Sequence, residues 1–166
     1  MLLRKAEKRR WDWAPETITW VTPGDIPAAP LADFNTSSES KISVWYVESD
    51  NSNLERIIAG IAAGRQTADK FDYVLFPEEV LSQAGLNAQE VPGQSKDKDA
   101  NARWHRDLLE ISASKLIKLV ELVHREGKLD RASERDVIAL IKQSVDAGLI
   151  EKRGLDETLS KRVFGN

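Results

Sequence analysis

Between Lys41 and Leu81 the spacing of apolar positions changes from continuous to helical and back again. Ile42-Ser43-Val44-Trp45-Tyr46-Val47 is a nearly unbroken β-branched and aromatic run, which predicts a strand covered on both faces. The polar run Glu48-Ser49-Asp50-Asn51-Ser52-Asn53 follows as a loop. Ser52 and Glu55 match a capping box, and Leu54, Ile57, Ile58, Ile61 and Ala62 then fall on one helical stripe. Gly64 fits a left-handed position after that helix. Phe71 to Phe76 predicts a second strand, and Pro77 opens another helix, whose start Glu78 and Glu79 favour and which Gly85 closes. Strand, helix and strand in this order predict a parallel βαβ unit. Its strand ends would gather Glu48, Asp50, Asn51, Glu78 and Glu79 at one edge, where open α/β sheets hold ligands.

The flanking stretches carry weaker patterns. Thr17 to Val21, with Trp20, reads as a brief strand, and Pro23 to Ser40 as a long proline-rich connection. Leu86 to Asn101 is polar and reads as a linker around Pro92-Gly93. From Ala102 to Glu126 the apolar positions Leu109, Ala113, Leu116, Ile117, Val120 and Val123 recur at helical spacing, predicting one long helix ended by Gly127. Ser133 with Asp136 forms a second capping box, and Ala147-Gly148-Leu149 a Schellman-type end. A short helix over residues 155–163 closes the pattern. The expected class is α+β with a βαβ-like core: a small sheet of about three strands with covering helices, then a C-terminal helical unit. The expected division is an N-terminal part, residues 1–90, a polar linker, 91–101, and a helical part, 102–166.

Composition narrows the chemistry. The 166 residues are 41% hydrophobic and 31% charged, as in a globular chain. The absence of cysteine excludes disulfides, thiolate zinc sites and cysteine nucleophiles. No secretory leader and no run of membrane-helix length is visible, so the cytoplasm is the expected compartment and no membrane partner is expected. The net charge of −3 gives no global attraction for nucleic acid. The basic start is an exception: Arg4, Lys5, Lys8, Arg9 and Arg10 oppose only Glu7. Residues 11–50 hold seven acids and one lysine, so this arm is expected either to fold back on its own chain or to touch phosphate.

Two groups of residues have chemical potential. Glu48, Asp50 and Glu78, with Asn51 between them, offer the oxygen ligands that a hard cation such as Mg²⁺ prefers, or simply cap a helix. Arg103, Trp104, His105 and Arg106 crowd the start of the long helix as an interface, a base or a packing anchor. His124 falls on the same expected helix, too far along it to share an ion with His105. The glycines at Gly60 and Gly64 sit within and after a helix, which is wrong for a phosphate loop and right for close packing. There is no serine elbow and no HExxH pair.

The opening of the strand–loop–helix stretch resembles a response-regulator receiver. The second strand, however, ends in Pro77 rather than an acceptor aspartate, and no later strand supplies a lysine. Residues 132–153 resemble the end of a winged helix-turn-helix. They lack its preceding short helix and carry Glu134, Asp136 and Asp146 beside Arg135 and Lys142. The reading that remains is a non-enzymatic accessory or protein-interaction component of a larger assembly, with a protein partner or self-association and no cofactor. Its alternatives are a nucleic-acid-binding module using the basic arm and the C-terminal helices, and a metal-dependent enzyme at the acidic strand ends.

Overall fold

Both apolar runs of the central stretch become strands, and four further strands join them. The computed structural model describes residues 1–11, 28–34 and 41–165. In chain order the elements are β1 (Leu2–Lys5), α1 (Ala28–Leu31), β2 (Ile42–Tyr46), α2 (Leu54–Ala62), β3 (Phe71–Phe76), α3 (Glu79–Gln83), β4 (Ala88–Glu90), α4 (Lys98–Trp104), β5 (His105–Leu108), α5 (Ala113–Glu126), β6 (Lys128–Ala132), α6 (Glu134–Asp146) and α7 (Glu157–Phe164). The class is α+β. The sheet has six strands rather than three, in the order β4-β5-β2-β1-β3-β6. The expected strand over residues 17–21 and most of the proline-rich connection lie outside the described residues.

The expected parallel pair does not form. β2 and β3 are not neighbours, because β1 lies between them. β1 runs antiparallel to β3, with Leu2 opposite Phe76 and Lys5 opposite Tyr73. The cause is at the N-terminus, where Leu2-Leu3 supplies two fully buried side chains that basic neighbours had disguised as a solvated arm. β3 is buried along its whole length, Asp72 included, as suits an interior strand of the sheet.

Residue contacts divide the chain into two units. The first comprises Met1–Val44, Asp72–Gln89 and Asp107–Asp130. Its core joins Leu2, Ile42 and Val44 to Val74, Phe76, Val80 and Leu81, with Leu119, Val120, Leu122 and Val123 of α5. Trp11, Phe34 and Phe76 form an aromatic chain through it. Each fully buried Leu or Phe here contributes about 1.5–3 kcal/mol of transfer free energy. The second unit comprises Trp45–Phe71, Glu90–Arg106 and Arg131–Asn166. There α2 packs on α4 and α6, and α6 packs on α7. Ile57, Ile58, Phe71, Val137, Ile141 and Leu159 fill the space between its elements.

The expected single helix over 102–126 is instead α4, β5 and α5. Asp97 caps α4 by accepting from the Ala100 N–H at 2.9 Å. Ser112 caps α5 by accepting from the Lys115 N–H. Between the two caps, Leu108 is fully buried as a strand residue and Asp107 accepts from the Ser43 hydroxyl at 3.1 Å. Glu110 takes a left-handed turn, φ 54°, which no helix allows. His105 and His124 therefore do not share a helix.

The ends of α2 also differ from expectation. Its N-cap is Asn53, without a side-chain cap, so Ser52 and Glu55 do not form the box. Gly64 is not left-handed; among the described residues the left-handed glycines are Gly85, Gly148 and Gly165. At α6 the capping box of Ser133 and Asp136 forms with both reciprocal bonds. The Schellman end forms too: Gly148 has φ 72°, its N–H bonds the Val145 carbonyl, and the Leu149 N–H bonds the Ser144 carbonyl. The buried residue after that turn is Ile150, while Leu149 is exposed.

Candidate functional site

The loop after β2 is shaped by its own side chains. The Asn53 amide donates to the Tyr46 carbonyl at 3.1 Å, and its oxygen accepts from the Glu48 N–H at 2.9 Å. Asn51 adopts φ 59°, a region asparagine tolerates. Asp50 accepts from the Ser52 N–H at 2.9 Å, and hydrogen bonds from Ser52 hold its carboxyl below the ordinary aspartate value. Asp50 thus closes a turn and does not cap α2. Asp50 is exposed and Glu48 half-buried, while the buried Asn53 takes the inner polar positions of the loop.

Beside this loop, α2 presents Arg56. Its Nε and one Nη donate to the two oxygens of Asp97 at 2.6 and 2.9 Å, and the same Nη reaches Asp99 at 2.9 Å. This bidentate geometry fixes the guanidinium plane and keeps its proton more firmly held than usual, chiefly through the Asp97 bonds. Burial pushes the Asp97 carboxyl up, but bonds from Arg56 and the Ala100 N–H leave it below the ordinary value. Gly60, one turn on, makes this approach geometrically feasible. A Cβ there would come within 3.0 Å of Ser95 Oγ and 3.2 Å of Asp97 Cβ. Trp104, the last residue of α4, lies against the Arg56 guanidinium at 5.2 Å from ring centroid to Cζ.

Glu48, Ser49, Asp50, Ser52, Asn53, Arg56 and Trp104 line an open cleft of about 380 Å³. The fold therefore brings Glu48 and Asp50 from the first candidate group together with Trp104 from the second. The remaining candidates are committed elsewhere. Glu78 is the exposed N-cap of α3 in the other unit and does not line the cleft. Asn51 is exposed but not a lining residue. Arg103 pairs with Asp99 at 2.9 Å. Arg106 donates to Glu90 at 2.8 Å and lies over the Tyr46 ring. His105 is buried, with Nδ1 2.8 Å from the accepting Val91 carbonyl and its ring edge-on to Trp45. It is a packing residue, and Gly93 is small because a Cβ there would lie 2.8 Å from the His105 ring.

The basic start is not a free arm. Arg4 and Lys5 belong to β1. The Arg4 guanidinium donates to the carbonyls of Asp33 and Ser43, and burial lowers its affinity for its proton against the pull of Asp33. Arg9 pairs with Glu7, and Arg10 bridges Glu7 and Asp33. Asp33 is buried and also accepts from the Glu7 N–H and the Trp11 indole N–H at 2.9 and 2.7 Å. Lys8 gives its backbone N–H to Asp72. Among the described residues no group of three or more His, Asp or Glu comes together to hold a metal ion. No described helix is long and apolar enough to cross a membrane.

Arg56 was not singled out from the sequence, and neither were the roles that Asn53 and Asp97 play beside it. Asp97 carried a findable signal, an aspartate just before a stretch of good helix formers. Arg56 gave none, since an arginine on an apolar helix ordinarily faces water. Comparison with family models, with curated proteins and with solved structures finds no match for this chain.

Proposed function

We propose that the protein is a non-enzymatic interaction component that docks a protein partner in the cleft between the post-β2 loop and Trp104. The observation that carries this reading is the convergence of two exposed loop residues, Ser49 and Asp50, with a half-buried tryptophan whose ring lies against the ion-paired Arg56. A pre-set aromatic side chain with a polar rim suits docking, because little side-chain freedom is lost on binding. The residues that suggested chemistry are used otherwise. His105 packs in the interior, and Arg4, Arg10 and Arg106 satisfy neighbouring acids and carbonyls. Those bonds weigh against a phosphate-binding arm, and Glu78 does not line the cleft that Glu48 and Asp50 share, which weighs against the metal-dependent reading.

The test is native mass spectrometry of the tagged chain purified gently from its source cells. A stoichiometric protein companion supports the proposal. Masses only at multiples of 18.6 kDa contradict it.

A further inference from the structure

The chemistry of the cleft restricts what it can hold. Glu48 and Asp50 are carboxylates at its rim, and Asp97 and Asp99 stand behind Arg56. Against these four acids the same group of residues holds two guanidiniums, Arg56 and Arg103, both already paired with Asp97 or Asp99. Arg56 is neutralised twice over, so the field at the rim is set by Glu48 and Asp50. The Asp50 carboxyl, held below its ordinary value by Ser52, is charged across the neutral range. An anion would meet two uncompensated carboxylates, and an apolar side chain would strip water from them without return. A cation gains on both counts, and the Trp104 ring adds an aromatic surface that favours cations and the stems of long basic side chains.

Resting on the docking reading above, we infer that the cleft receives a lysine or arginine side chain from an extended basic segment of the protein partner. The ammonium or guanidinium sits between the Glu48 and Asp50 carboxylates, and its methylene stem lies along Trp104. Charge complementarity of this kind acts mainly on encounter rate and choice of partner, and it weakens as salt rises.

The experiment titrates the full ¹⁵N-labelled chain with a short glycine–serine peptide carrying one arginine and one lysine. A second peptide carries two glutamates in their place. The expected result is a saturable shift of the Trp104 indole N–H and the amides of residues 48–53 with the basic peptide alone. Affinity should be weak, with a Kd of about 0.1–1 mM as befits a single-site contact. It should fall roughly tenfold in a Glu48→Gln/Asp50→Asn double variant and fall again on raising salt. The Asn at position 50 keeps an oxygen for the Ser52 turn, and unchanged dispersion of the remaining amides shows that the variant is folded. Shifts of equal size with the glutamate peptide, no localised shift at millimolar basic peptide, or undiminished binding by the folded double variant would each overturn the inference. A peptide-blind cleft in a chain that still carries a stoichiometric companion overturns this inference alone. A chain without a companion overturns the docking reading beneath it.

Discussion

At Arg56 and Asp97 one ion pair does three jobs: it positions the ring of Trp104, closes α2 onto the 95–97 segment and leaves Asp97 free to cap α4. Asp97 is buried, so Asp97→Ala takes the bidentate partner from Arg56, leaving it Asp99 alone, and takes the cap from α4. A loss of roughly 2–4 kcal/mol is expected in denaturant unfolding. The pH dependence follows from the direction of the Asp97 shift. A carboxyl with a lower pKa folded than unfolded adds stability that is complete above the unfolded value, about 3.9, and is lost as pH falls through the folded value. Wild-type stability therefore declines below about pH 4, and Asp97→Asn flattens that decline. An Asn variant with the full wild-type acid dependence would contradict this assignment. Glu110 offers the opposite experiment. Its φ of 54° is costly for a side chain with a Cβ, so Glu110→Gly should raise stability by up to about 1 kcal/mol despite the added freedom of the unfolded chain. A destabilised glycine variant would show that Glu110 makes a contact that outweighs the strain.

At α6 both ends were legible, and the reason is local chemistry. Ser133 with Asp136, and Gly148 after the last turn, act within a few residues of themselves and need no tertiary context. Ser133→Ala and Gly148→Ala should each cost about 1 kcal/mol. Amide exchange should rise first at the corresponding end of α6; uniform exchange along the helix would contradict independent caps. The stretch 102–126 was illegible for the complementary reason. Leu108 and Leu109 continue a helical period, and only burial of Leu108 and the Asp107–Ser43 bond, partners more than sixty residues apart, favour a strand there. The strand β2 and helix α2 were readable from their apolar patterns, and so was the loop that carries Glu48 and Asp50. Arg56 was not, because its partner Asp97 stands 41 residues away. Half of the cleft was thus visible in the sequence, and the ion pair that orders its other half was not.

For the whole molecule the largest revision is at the N-terminus. β1 lies between β2 and β3 in the sheet, so residues 1–10 hold the fold rather than reach for a partner. Leu2 and Leu3 are fully buried, and Asp33 and Asp72 collect the polar groups that follow. Deleting residues 1–10 should abolish cooperative unfolding, whereas a free arm would leave the melting temperature unchanged. With the basic residues committed there, the proposed docking surface is the cleft lined by Glu48, Asp50 and Trp104. The most direct measurement compares native masses of the wild-type chain and a Glu48→Lys/Asp50→Lys variant, both purified gently from source cells. The account predicts a stoichiometric companion on the wild-type chain that is released from the folded charge-reversed variant. Masses at multiples of 18.6 kDa alone for both chains, or a companion held equally by both, would contradict it.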